Sequence, residues 1–203
     1  MAGQEADLGR RQAQAPQGLS RISRDLDRDE LKRLIRTVPD FPSKGIQFRD
    51  ITTLLAHGEG LAKCVDMLAE MASEFEADAV AGIEARGFIF GTALALRLEA
   101  GFVPIRKAGK LPVDCIFEDY ALEYAEARVE LDPTIITPGE RVLIVDDLLA
   151  TGGTALAATR LLRRAGATVT HALFVIDLPE LGGGDALGAE QVEARALVDF
   201  AGH

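Results

Sequence analysis

The chain has 203 residues, 48% of them hydrophobic, and its 22 Lys and Arg against 32 Asp and Glu leave a formal net charge of −10. That length suits one globular unit, and the acidic excess argues against nucleic acid or anionic lipid as partners, since both attract basic faces. No apolar run reaches the ~20 residues of a membrane span, no secretory h-region stands near the start, and Cys64 and Cys115 are too few for a disulfide framework, so a cytoplasmic setting is expected.

Residues 1–24 are rich in Gln, Ala, Arg and Gly without apolar periodicity, which predicts a mobile tail. Leu31, Leu34 and Ile35 then share one helical face behind Asp27, a fitting cap, with Pro39 as the stop. Residues 38–51 form a turn-rich, aromatic-bearing stretch that leads into a short extended piece. Leu61, Cys64, Val65, Leu68, Ala72 and Phe75 recur at helical spacing, predicting a helix over 60–76 with Cys64 on its buried stripe. Strands are expected at 79–83, 101–105, 142–145 and 169–176, a strand or hairpin arm at 128–131, and helices at 88–98 and 154–165. Gly182, Gly183 and Gly184 punctuate a looser C-terminal region with a last strand at 196–200. Strands that are apolar on both faces, interleaved with helices, indicate an α/β fold with a parallel sheet covered on two sides.

The segment richest in chemistry is Val142-Leu143-Ile144-Val145-Asp146-Asp147-Leu148-Leu149-Ala150-Thr151-Gly152-Gly153-Thr154. A strand that ends in two carboxylates and turns through Thr-Gly-Gly-Thr into a helix offers free N–H groups, two hydroxyls and no Cβ obstruction at the glycines, a cradle for a phosphate dianion. Asp146 and Asp147 repel that phosphate but accept from vicinal hydroxyls or help to hold a divalent cation, so the pattern points to a phosphorylated sugar. Arg86, just beyond the strand at 79–83, suits a diphosphate, with a surface arginine as the lesser reading. Arg106, Lys107 and Lys110 follow another strand closely and form either a solvated basic turn or a second wall of the anion site. Phe48 is open to two readings, a core ring or a ligand-facing one. The three histidines form no cluster.

The Val142-to-Thr154 run resembles the 5-phosphoribosyl-1-pyrophosphate (PRPP) motif of the type I phosphoribosyltransferases. Pro39-Asp40-Phe41-Pro42 with Phe48-Arg49-Asp50-Ile51, then Gly82-Ile83-Glu84-Ala85-Arg86-Gly87-Phe88, Arg106-Lys107-Ala108-Gly109-Lys110-Leu111-Pro112 and Leu122-Glu123-Tyr124 appear in the order seen in adenine phosphoribosyltransferases. Two departures stand out: Ala85 where some members have Ser, and Ala125 where the family usually has Gly.

The resemblance implies a type I phosphoribosyltransferase fold, a mostly parallel twisted sheet flanked by helices with a small N-terminal hood. It divides the chain into a tail (1–24), a base-recognising hood segment (25–53), a core (54–180) and a C-terminal segment (181–203) that packs on core or hood. It implies purine salvage: adenine and PRPP give AMP and pyrophosphate, with Mg²⁺ carried mainly by PRPP rather than by dedicated protein ligands, in a homodimer. Ala150, Thr151, Gly152, Gly153 and Thr154 would hold the 5′-phosphate, Asp146 and Asp147 the ribose hydroxyls, and Arg86, Lys107 and Lys110 the pyrophosphate. Phe48 and Leu148 would sandwich adenine while main-chain groups of Gln47 and Arg49 read its edge, a donor and acceptor pattern that a 6-oxo purine mismatches. Glu123 and Tyr124 would belong to a flexible lid, with Glu123 handling the purine proton and Arg86 as the other catalytic residue. The resemblance also suggests a cis peptide at Ala85–Arg86. Two alternatives stay open, a transferase for a 6-oxo purine and a PRPP-sensing regulatory protein on the same fold.

Overall fold

The structure, a computed structural model, describes residues 26–121 and 126–202. The expected mobile tail and the lid residues Glu123 and Tyr124 lie outside the described residues. Asp27 accepts from the Glu30 N–H at 2.8 Å while the Glu30 carboxylate accepts from the Asp27 N–H, a capping box that starts α1 (Arg28–Arg33). Pro39 does not stop this helix but closes β1 (Arg36–Pro39), which pairs antiparallel with β2 (Gln47–Asp50) as a separate two-stranded sheet. Three of the four β1 residues are exposed, so no buried periodicity announces the strand. The short α2 (Thr52–Ala56), also unforeseen, precedes α3 (Gly58–Ala72), where His57 Nδ1 accepts from the Gly60 N–H at 3.0 Å and Cys64 and Leu68 are fully buried. The helix ends at Ala72 rather than at 76, and Phe75 stacks on His171 at 3.7 Å instead.

The remaining strands make one seven-stranded sheet: β3 (Ala79–Ile83), β4 (Gly101–Lys107), β5 (Ile116–Ala121), β6 (Glu126–Leu131), β7 (Val142–Leu149), β8 (His171–Asp177) and β9 (Glu193–Asp199). Their order is β5-β6-β4-β3-β7-β8-β9, parallel from β4 to β9 with β5 and β6 as an antiparallel hairpin at one edge. Ala79, Ala81 and Ile83 of β3 pack with Leu161 and Leu162 of α5 (Gly153–Arg164) on one side. Val80, Leu143 and Val145 pack on the other with Leu68 of α3 and with Phe90 and Leu94 of α4 (Gly87–Leu98). Leu94 and Leu161 have no exposed surface, and truncating either to Ala costs about 2–5 kcal/mol.

Three further elements depart from the expected pattern. β5 lies between 105 and 128, where no strand is expected; its Asp119 accepts from its register partner Arg128 at 2.7 Å, so pairing rather than patterning makes the strand. β7 runs on to Leu149 because its ladder with β8 continues from Asp146 opposite Phe174 to Leu149 opposite Asp177. The glycine-rich C-terminal stretch holds α6 (Gly183–Ala189) before β9 joins the sheet edge. Of the two cysteines, Cys64 is buried and its thiol pushed up to about 12 by desolvation, while Cys115 is half-buried immediately before β5.

Candidate active site

The carboxyl ends of β3, β4 and β7 open into a cleft of about 580 Å³. Both aspartates belong to β7 itself rather than to the turn beyond it, Asp146 half-buried and Asp147 only 3% exposed. Residues 150–154 line the cleft next, and α5 begins there without a side-chain cap. Its first-turn N–H groups therefore lack an intrahelical partner and sit at the positive end of the helix, where an anion is favoured. Gly183 of α6 backs this turn: a Cβ there would run into the Ala150 carbonyl oxygen, and one at Gly152 would come 3.0 Å from the Gly183 oxygen.

Burial raises the Asp146 pKa well above the usual carboxylate range, and the neighbouring Asp147 raises it further. Burial also raises Asp147, opposed by Arg86, whose Nε lies 2.9 Å from Asp147 Oδ2. That contact is a charge pairing without an aligned hydrogen bond, so Oδ2 keeps an unfilled acceptor in a buried position. Asp146 Oδ1 accepts from the Asp147 N–H at 2.9 Å and is pressed against Gly87, where a Cβ would come 2.8 Å from it. A pair that resists carrying two charges gains from a ligand bringing hydroxyl donors or positive charge.

Sequence reasoning gave Glu84 no role, yet it lines the cleft and organises its basic edge. Its carboxylate accepts from Arg106 Nε at 3.0 Å and from the Lys107 N–H at 2.8 Å. Burial pushes this carboxyl up, but those bonds outweigh it and the net pKa is lowered. Glu130 accepts from the Gly109 N–H at 2.9 Å, so two carboxylates hold the backbone of the basic turn. Lys107 lines the cleft, whereas Lys110 is exposed and does not, and Arg106 is spent on Glu84. The cis peptide lies at Glu84–Ala85, one bond earlier than expected, and Arg86 already has the αR backbone that leads into α4.

A second cavity of about 550 Å³ is lined by residues 43–49 with Arg86, Leu148, Ala150, Leu178 and Leu181. It shares Arg86, Leu148 and Ala150 with the first cleft. Phe48 is half-buried here rather than core, with the Arg86 guanidinium 5.9 Å from its ring and Phe41 edge-on at 5.1 Å. Gln47 and Arg49 flank it, although the Arg49 side chain turns away into Thr37 and the Ala201 carbonyl. Leu178 and Leu181 carried no signal in the sequence, since two leucines after a strand look like any others. The two cavities thus take in every sequence-derived site residue the structure describes except Arg106 and Lys110.

A family model for the phosphoribosyl transferase domain matches residues 50–183. The adenine phosphoribosyltransferase of Novosphingobium aromaticivorans is 66% identical over 175 residues, covering 86% of this chain and 98% of that relative. The crystal structure of adenine phosphoribosyltransferase from Rhodothermus marinus superposes with a TM-score of 0.79 at 48% identity, covering 85% of this chain and 98% of the other. The Saccharomyces cerevisiae enzyme, solved with an imino-altritol bisphosphate and adenine, gives a TM-score of 0.78 at 38% identity over 84% of this chain and 97% of its own.

Proposed function

The chain belongs to the phosphoribosyl transferase family, among the adenine phosphoribosyltransferases, and from that premise we propose that it transfers the 5-phosphoribosyl group of PRPP to adenine, giving AMP and pyrophosphate. The observation that carries this reading is the shared wall of Arg86, Leu148 and Ala150, which sets an aromatic pocket directly against an anion cradle. A nucleoside monophosphate needs those two environments side by side.

In this reading the turn of residues 150–154 and the start of α5 hold the 5′-phosphate, while Asp146 and Asp147 accept from the ribose hydroxyls. The buried, unfilled Asp147 Oδ2 and the all-oxygen donor set of the pair fit a Mg²⁺ that keeps most of its ligands on PRPP. Such an ion would offset the negative charge of the departing diphosphate. As the C1′–O bond breaks, positive charge builds on the sugar and pyrophosphate leaves toward Arg86 and Lys107, with Lys110 as a peripheral cation. Adenine N9 forms the new bond to C1′, and its ring proton passes to Glu123, on a lid with Tyr124 that excludes water from the reactive sugar. Phe48 and Leu148 hold the base between them, with the main chain at Gln47 and Arg49 reading its edge.

We read the enzyme as cytoplasmic and homodimeric. No described helix is long and apolar enough to cross a membrane, and exposed Ile89 and Leu96, a heptad apart on α4, offer apolar surface for a second copy. Mg²⁺-dependent AMP formation from adenine and PRPP tests the central reading. Hypoxanthine and guanine should be poorer by about 10³ or more, since their 6-oxo groups leave buried polar groups unpaired; equal turnover of hypoxanthine would contradict the base assignment.

A further inference from the structure

Arg49 is a cation only 8% exposed, and no carboxylate pairs with it among the described residues. Its Nη1 donates to Thr37 Oγ1 at 2.7 Å, its Nη2 donates to the Ala201 carbonyl at 2.9 Å, and the guanidinium lies 4.6 Å from the Phe200 ring centroid. Nε is buried without a partner, and burial lowers the pKa of the group. Burying a guanidinium against neutral partners costs stability that an apolar side chain would not. What the arrangement supplies is a joint between three segments. Thr37 and Arg49 are register partners on β1 and β2, and Phe200 and Ala201 follow β9 at the edge of the main sheet. Side chains alternate along a strand, so Arg49 points into this joint while its neighbour Phe48 points into the base pocket.

We propose that the Arg49 guanidinium is the positioning group of the base pocket. By tying the two-stranded sheet to the segment after β9, it sets where Phe48 and the main chain of Gln47 and Arg49 stand opposite Leu148. It thereby governs affinity for the purine and leaves affinity for the phosphoribosyl group alone. The inference rests on the assignment of this cavity to adenine.

The test compares AMP with ribose 5-phosphate by calorimetry in the full chain, for wild type, Arg49→Lys, Arg49→Met and Thr37→Val, together with Tm and the KM for each substrate. AMP touches both cavities and ribose 5-phosphate only the cleft. Arg49→Lys, which loses the fork, should weaken AMP by about tenfold or more, with ribose 5-phosphate within about twofold and the adenine KM rising in step. Thr37→Val should lose less, in the same direction. Arg49→Met should weaken AMP while Tm stays at or above wild type, a pattern that separates positioning from folding; if it fails to fold, the other two variants decide. Equal losses for both ligands, or no loss of AMP in any variant, would overturn the proposal. Wild-type protein that binds the two ligands equally would instead remove the base-pocket assignment beneath it.

Discussion

The two cavities that share Arg86, Leu148 and Ala150 are built in opposite ways. The cleft takes most of its wall from one uninterrupted stretch, Asp146 through Ala155, in which a strand, a turn and a helix start follow directly. The base pocket is assembled from β2, the turn before it, the start of α4, the end of β7 and the residues after β8. The first holds its shape through covalent neighbours and backbone conformation. The second holds it through distant contacts such as Arg49 with Ala201, so its precision depends on residues that touch no ligand. Damage to the cleft should therefore stay local, whereas damage to the pocket can enter from far away.

Four measurements bear on that contrast. The largest effect should come from the residue proposed to take the purine proton: Glu123→Gln keeps the shape but not that capacity, so kcat should fall by about 10²–10⁴ with little change in the PRPP KM. An effect confined to the adenine KM would reduce Glu123 to an orienting role and leave the lid with the pocket alone. Asp147→Ala should lower kcat/KM for PRPP by about 10² with the fold and the adenine KM retained, since it removes a ligand of the cleft only; a matching loss for adenine would break the separation. Phe48→Ala should raise the adenine KM by about tenfold through lost stacking, with PRPP unaffected.

The smallest effect concerns stability and has a definite sign. The folded pKa of Asp146 lies above its unfolded value near 3.8, so ionising it weakens the fold progressively as pH rises from about 4 through the folded pKa. Asp146→Asn should therefore raise Tm at neutral pH, lose that advantage below about pH 4, and still lower PRPP use. A lower Tm at neutral pH would mean that Asp146 is held by contacts stronger than its desolvation.

Legibility in the sequence follows the same division. The run from Val142 to Thr154 announced its strand, turn and helix because each signal is local: β-branched residues, paired glycines, hydroxyls at a helix start. β1 and β5 were missed because cross-strand partners make them, as Arg128 on β6 does for the Asp119 that it faces across the hairpin. The glycines at 182–184 looked like a spacer. Their meaning depends on the Ala150 carbonyl beside Gly183, which no local pattern reveals. Glu84 likewise takes its role from Arg106 and Lys107 on the next strand. Resemblance to a family supplied the pocket residues Gln47, Phe48 and Arg49, but not the wiring behind them.

The pair of thiols gives the molecule a built-in reporter. Cys64, buried and with its thiol pushed up to about 12, is shielded from alkylation at neutral pH, which leaves Cys115 as the thiol that a maleimide dye can reach. That position adjoins β5, the arm of the hairpin that leads into the segment carrying Glu123. A fluorophore there can follow that arm in real time as substrates arrive, in an enzyme whose sequence needs no change to accept the label.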